Sequence, residues 1–280
     1  LFGKGGKTSV KNRIHKGMVL LAVLMLVVVT GCSSNLSDKK AIRTDHSLQN
    51  VMEAKQLIVG SDTGFPPMGY ENENGEIVGF DIDVAEAVCN RLGVKLVVKG
   101  IDWGKKEEEL DSGNIDCVWS GMSVTPDRAE AMNLSEPYMK NELIFLIPGN
   151  SEARGTQDLQ GKRVGVSTNS TALDALKSMA TKVEIVECED EVDMFQKLEE
   201  GNLDAMLVDS VAAYYFLSQT GKTYYVLPES LQEEDYAIGF RKEDQSLRDK
   251  IQEILGMLKE DGTLGRISKQ WFGSDITIVR

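Results

Sequence analysis

Residues 120–128 read Ser-Gly-Met-Ser-Val-Thr-Pro-Asp-Arg and gather hydroxyls, a glycine and one guanidinium within nine positions. No base stands beside a nucleophile here. A guanidinium meets a carboxylate through two parallel N–H donors and keeps its charge at neutral pH. Ser120 and Ser123 supply hydroxyls that donate or accept, and Gly121 lets backbone come close to a bound molecule. Thr125, Pro126 and Asp127 also form a helix start, as N-cap, first helical residue and first-turn acid. Arg128 would then lie near a positive helix end, which favours an anion. The two readings of Arg128 are a carboxylate-binding residue and a surface arginine in a first helical turn.

Asp209 supplies the opposite charge. It closes the apolar run 203–209, where a carboxylate faces no solvent and needs a cation, unless it caps the helix expected over 210–219. Asp62 and Phe65 precede Pro66-Pro67, and Trp103 follows an expected strand; the two aromatics are either cleft walls or core. A guanidinium, a carboxylate, hydroxyls and aromatic walls suit a zwitterion. Its α-carboxylate would meet Arg128 and its α-ammonium Asp209.

Other chemistries lack their residues. The two histidines, His15 and His46, fall in an expected leader and tether, so the expected folded part has no Ser-His-Asp or Cys-His pair and no His-ligated metal. There is no P-loop and no Gly-x-Gly-x-x-Gly after a strand. Cys89, Cys117 and Cys188 have no Cys-x-x-Cys spacing and read as buried free thiols. No cofactor is expected.

The elements that must position these residues alternate between strand and helix. Apolar runs at 55–62, 94–100 and 115–121 read as strands, with helices over 79–93 and 105–113. A second series follows: strands 162–168, 183–188 and 203–210, helices 171–180 and 191–201. The halves share a phrase at an offset of 88, Leu-x-x-Gly-Asn-Ile/Leu-Asp, at 110–116 and 198–204. This is an α/β pattern, with sheets covered on both faces and ligands at the carboxyl ends of strands. Those ends carry Asp62, Ser120, Ser167–Thr168 and Asp209.

The chain has 280 residues, enough for two modest cores. Residues 1–31 hold five Lys/Arg and no acid; the remainder has 26 basic and 44 acidic residues, a formal net of −18. So acidic a body argues against nucleic acid. Residues 18–29 are an apolar stretch too short to span a membrane comfortably and suited to a signal peptide. Thr30-Gly31-Cys32 resembles a bacterial lipobox, which makes 1–31 a signal peptide, Cys32 a lipidated anchor and 32–50 a polar tether.

Taken together, the segments SDTGFPPMGY, GFDIDVAEAV, SGMSVTPDRAEAMNLSEPY, DLQGKRVGVSTNST, LDAMLVDS and DGTLGRISKQWFG resemble the extracytoplasmic solute-binding proteins of polar amino-acid ABC transporters, family 3 type, over about residues 55–273. The resemblance implies the type II periplasmic-binding-protein-like fold: two α/β lobes, two hinge crossings and a ligand cleft. Lobe 1 would be 51–140 plus 236–280 and lobe 2 141–235, with hinges near 137–142 and 234–239. It implies that Arg128 holds the α-carboxylate, aided by Ser123 and the Ser170–Thr171 helix start. Asp209 would hold the α-ammonium, with Ser120 contributing. Phe65 and Trp103 would pack the ligand side chain, and Asp62 would touch its polar end or support the pocket. Gly121, Met122 and Thr168 would complete the lining. Asn169-Ser170-Thr171 departs from the Gly-Thr-Thr common in relatives; Asn tolerates a left-handed turn. Glutamine-binding relatives carry Lys and His where this chain has Ser167 and Val208, so cystine or a neutral polar amino acid is the expected ligand. The implied partners are a transmembrane permease and its cytoplasmic ATPase, the protein itself being a lipid-anchored monomer at the extracytoplasmic face. The rival readings are a cyclohexadienyl-dehydratase-like enzyme, a ligand-sensing receptor and a structural surface lipoprotein.

Overall fold

In the computed structural model, described over residues 45–280, the strand–helix alternation forms two five-stranded sheets. Helix α1 (Ser47–Ala54) leads to β1 (Gln56–Ser61), then to a small antiparallel sheet of β2 (Gly64–Phe65), β3 (Gly69–Glu71) and β4 (Ile77–Val78). There follow α2 (Phe80–Leu92), β5 (Lys95–Gly100), α3 (Lys106–Asp111), β6 (Cys117–Val118), α4 (Pro126–Ala131) and β7 (Asn133–Leu134). Strand β8 (Met139–Pro148) opens the second series: β9 (Arg163–Ser167), α5 (Thr171–Ser178), β10 (Glu184–Cys188), α6 (Glu191–Glu199), β11 (Ala205–Asp209), α7 (Ser210–Gln219) and β12 (Tyr224–Tyr236). The chain then returns through β13 (Gly239–Phe240), α8 (Gln245–Glu260) and α9 (Thr263–Phe272).

The first sheet has the order β5-β1-β6-β13-β7 and the second β10-β9-β11-β8-β12. In each, the first three strands are parallel, so their carboxyl ends lie along one edge. The local causes are ordinary ones. Helix α2 buries Val84, Val88 and Leu92 at helical spacing and stops at Gly93, whose φ of 73° only glycine adopts without strain. Strand β1 buries Leu57 and Val59 completely between helices. Cys89, Cys117 and Cys188 are free and buried.

The repeated phrase has a structural counterpart. Gly113 and Gly201 both take φ 76° at the end of a helix, and each is followed by an aspartate that locks the next strand to its parallel neighbour. Asp116 accepts from the Ile58 N–H (2.8 Å) and Asp204 from the Arg163 N–H (2.9 Å), while their own N–H groups donate to the carbonyls of the same two residues. Each aspartate also pairs with an arginine, Arg241 or Arg163. One turn chemistry thus aims β6 and β11 and delivers Ser120 and Asp209 to the same kind of position.

The chain passes between the sheets twice, from β7 to β8 and from β12 to β13. The two crossings lie side by side, because β8 and β12 pair antiparallel with Met139 opposite Tyr236.

The tether expected over 32–50 ends sooner than the sequence implied, because α1 begins at Ser47. Asp45 accepts from the Ser47 N–H and hydroxyl and from the Ser246 N–H at the head of α8, and Ser47 and Val51 are buried. Leu48 and Val51 pack on the core, but two apolar positions in an eight-residue helix are too short a run to show a period in sequence. His46 accordingly belongs to the folded body, on its exposed surface beside Gln49. The leader, Cys32 and the tether to residue 44 lie outside the described residues.

Candidate functional site

Arg128 owes its position to the start of α4. Thr125 Oγ1 accepts from the Arg128 N–H (3.2 Å) and Pro126 takes the first helical position, as the sequence predicts. The side chain is buried and folds back, Nη1 donating to the Ser123 carbonyl (2.8 Å) with the guanidinium 5.6 Å from the centre of the Trp103 ring. Burial lowers its pKa and the carboxylates around it, Glu234 first, oppose the shift. Trp103 therefore orients the clamp as well as lining the cleft. Ser123 donates its hydroxyl to Glu234 Oε2 (2.7 Å).

Gly121 is fixed from below. Its N–H donates to Asp81 Oδ2 (2.7 Å), and Asp81 is fully buried at the head of α2, where it also accepts from the Tyr138 hydroxyl (2.9 Å). Burial lifts the Asp81 carboxyl to about 7. Gly121 has φ 53°, and a Cβ there would stand 2.6 Å from the Phe65 ring. Left-handed backbone costs a residue with a Cβ ~1–2 kcal/mol, and a domain of this size loses roughly 2–4 °C per kcal/mol. Gly121→Ala should therefore lower the melting temperature by about 2–8 °C in a calorimetric scan, and ligand affinity with it, because Phe65 must move.

Asp209 stands at the N-cap position of α7 but makes no capping bond. Its Oδ1 instead accepts from the Tyr236 hydroxyl and from Asn141 Nδ2. Asn141 in turn accepts from the Ser210 N–H (3.1 Å) and donates to Glu234 Oε2 (3.3 Å). Burial lifts the Asp209 carboxyl to about 7, the charge on Glu234 adding and the Tyr236 hydrogen bond opposing.

Arg128 and Asp209 line one cavity of about 50 Å³ between the lobes. From the first lobe come Asp62, Phe65, Trp103, Ser120, Gly121 and Ser123; from the second, Thr168, Ser170 and Thr171. These are eleven of the twelve residues expected from sequence. Met122 is the exception: its side chain is fully buried in the core cluster of Leu110, Ile115, Val118 and Met132. Only its carbonyl is used locally, accepting from Ala237 N–H. Ser170 lines the cavity, but its hydroxyl is occupied, donating to the Ser167 carbonyl (2.7 Å) and accepting from the Leu173 N–H as the α5 cap (3.1 Å). Asn169 does take the left-handed conformation, at φ 56°. Phe65 meets Tyr236 edge-on at 6.5 Å. Ser120 Oγ accepts from the Asp62 N–H (3.1 Å), and Asp62 Oδ1 accepts from the Gly64 N–H (2.8 Å).

The cavity is lined as well by Ser167, which the sequence places at a strand end, and by Glu189, Asp190 and Glu191, which no sequence signal singles out. Ser167 donates to Glu191 Oε1 (2.7 Å). All four sit at the carboxyl ends of β9 and β10, so the strand-end rule contained them; the acidic run after Cys188 read as an ordinary helix start.

A larger groove of about 700 Å³ runs between α7, the crossing strands and the end of α9. Its lining includes Lys140 with Glu142, Glu233 and Glu234, but Lys140 already pairs with Asp235 and no arginine is present. The smaller cavity lies at the carboxyl ends of the parallel strands and is the better ligand site on that ground.

Residues 57–274 match the family of bacterial extracellular solute-binding proteins, family 3. The chain belongs to this family. This solute-binding protein is 28% identical over 266 residues to the L-cystine-binding protein TcyJ of Escherichia coli (strain K12), covering 94% of this chain and 98% of the relative. Among solved structures it is similar to Tv2483 bound to L-arginine (TM-score 0.79, 31% identity, 84% and 98% of the two chains). It is also similar to an ABC uptake transporter substrate-binding protein from Streptococcus pneumoniae with bound histidine (TM-score 0.77, 32% identity, 84% and 98%). The family and these folds agree with the two-lobed α/β reading. No helix among the described residues is long and apolar enough to cross a membrane.

Proposed function

We propose that the protein binds one free amino acid between its lobes and delivers it to the permease of an ABC importer driven by a cytoplasmic ATPase. The observation that carries this reading is the placement of Arg128 and Asp209, from different lobes, on the wall of one cavity. Arg128 takes the α-carboxylate, and Asp209 takes the α-ammonium. Lobe 1 (51–140 and 236–280) captures the ligand first; lobe 2 (141–235) closes about the two crossings and adds Asp209. Closure excludes water and strengthens both ion pairs. The ligands named for the relatives, cystine, arginine and histidine, support the class. The protein works as a binder and not as an enzyme, as a monomer without a cofactor, held to the extracytoplasmic membrane face by lipid on Cys32.

A thermal-shift screen against all amino acids tests this reading, using the purified full chain stripped of carried-over ligand by unfolding and refolding. A ligand at 100 times its dissociation constant adds about 2.7 kcal/mol of stability, a shift of several degrees. At least one α-amino acid should produce it. Silence from every α-amino acid, together with turnover of arogenate or prephenate, would replace the transport reading with the dehydratase one.

A further inference from the structure

The clamp for the ligand's backbone groups leaves charge unmatched in the cleft. Among the described residues that line the cavity, Arg128 is the one cation, against Asp62, Glu189, Asp190, Glu191 and Asp209. A zwitterion occupies Arg128 with its carboxylate and Asp209 with its ammonium, one for one. We propose that Glu191, with Asp62 opposite, is a specificity-determining residue that selects an amino acid whose side chain carries a positive charge, an ammonium or a guanidinium; the proposal rests on the clamp reading above.

Glu191 is more than nine-tenths buried, at 8% exposure, and it faces the cavity. Its one side-chain hydrogen bond comes from the neutral hydroxyl of Ser167. No lysine or arginine among the described residues forms an ion pair with Glu191, Asp190 or Asp62; the nearby Lys105 and Lys106 pair with Asp102 and Glu107 instead. Asp62 receives backbone N–H groups and no cation, the Gly64 N–H at 2.8 Å and that of Thr63. Closure brings the acids of the two lobes together at that same glycine, since the place a Gly64 Cβ would take is 2.1 Å from Asp190 Oδ2. Gly64 thus permits the approach of lobe 2 to the Asp62 turn.

A buried carboxylate without a cation is costly, and like charges across a dry gap repel. Burial and the charges of Asp62 and Asp209 push Glu191 well above the carboxylate range, and burial also raises Asp62. A cationic side chain placed between them turns this repulsion into attraction. A neutral polar side chain does not, and the distal end of cystine, although it carries an ammonium, brings with it a second carboxylate for which the described lining has no second cation. This reading departs from the neutral or cystine ligand expected from sequence.

The test is calorimetric titration of the full chain with L-arginine, L-lysine, L-citrulline, L-glutamine and L-cystine. Citrulline has the shape of arginine without its charge. Charge-assisted hydrogen bonds exceed neutral ones by enough that arginine or lysine should bind at least about tenfold more tightly than citrulline, glutamine and cystine. In Glu191→Gln, and separately in Asp62→Asn, the preference for arginine over citrulline should shrink at least about fivefold. Citrulline, glutamine or cystine binding as tightly as arginine and lysine to the unaltered protein would overturn the proposal while leaving the clamp intact. Silence from all five would overturn the proposal, and the clamp falls with it only if every other α-amino acid is silent in the thermal-shift screen as well.

Discussion

Arg128→Ala is expected to weaken binding of the preferred amino acid about 10²–10⁴-fold. Removing one partner of a buried ion pair costs roughly 3–5 kcal/mol, because the other partner stays behind without water. Here the stranded group is the ligand carboxylate, in a cleft whose lining among the described residues offers no other cation. The fold should tolerate the change, because Arg128 donates only to one carbonyl and stacks on one ring. A melting temperature near that of the unaltered protein, with affinity lost in calorimetric titration, is therefore the expected pair of results. Arg128→Lys should recover only part of the loss, since an ammonium cannot engage a carboxylate bidentately. Affinity within threefold of the unaltered protein in Arg128→Ala would exclude the clamp.

Asp209→Asn is expected to weaken binding about 10- to 150-fold, as a charge-assisted hydrogen bond of ~1.5–3 kcal/mol is lost. The smaller loss reflects the amide that remains beside Tyr236 and Asn141. This substitution should also change the pH dependence. The Asp209 carboxyl is lifted to about 7 in the ligand-free protein, whereas the ligand ammonium needs it ionised. Below pH 7 a proton must leave for each ligand bound, so the dissociation constant should rise about tenfold per pH unit. Stability runs the other way. A carboxyl raised above its ordinary value stabilises the folded, ligand-free protein below that ordinary value, and the contribution is lost as pH rises through about 7. Asp81 has the same sign and the same range. Acidification from pH 8 to 5 should thus raise the stability contributed by these two groups while weakening ligand binding. Glu234 and Arg128 act on Asp209 by charge and Tyr236 by hydrogen bonding, and Asp209 acts in turn on the raised Glu191, so the binding transition belongs to a coupled group. In Asp209→Asn the slope should flatten. Equal slopes in both proteins would assign the proton elsewhere.

The site was legible where residue type and local backbone determine position. Thr125-Pro126 fixes the start of α4 by capping alone, so the place of Arg128 follows from four consecutive residues. Asp209 could be recognised because a carboxylate ending an apolar strand needs a partner, and the absence of a capping bond now separates the two uses open to it. The duplicated Gly-Asn turn was visible because it is a local motif, although its strand-locking aspartates needed the sheet to be seen.

What the sequence hid depends on contacts remote along the chain. Met122 lies between two lining residues, yet its side chain belongs to the core beside Met132 and Leu110, which no local pattern states. Glu191 opens an amphipathic helix like any first-turn acid; its inward direction comes from the hydrogen bond with Ser167 on the neighbouring strand, which no local pattern states. Asp81 stands in the first turn of a helix, yet it is buried and holds the Gly121 loop across 40 residues of sequence. Asn141 and Glu234, on the two crossing strands, join Asp209 to Ser123 through hydrogen bonds that span 93 and 111 residues of sequence. Helix α1 is hard to read locally because only two apolar residues, Leu48 and Val51, pack on the core and its head is fixed by hydrogen bonds to α8, 199 and 201 residues away in sequence.

The most direct measurement is a crystal structure of the protein with the amino acid that gives the largest thermal shift. The prediction is a ligand in the cavity between the lobes, its α-carboxylate within hydrogen-bond distance of the Arg128 guanidinium and its α-ammonium on the Asp209 carboxylate. A ligand in the same cavity with its α-carboxylate away from Arg128, or one seated in the groove beside α7, would contradict it.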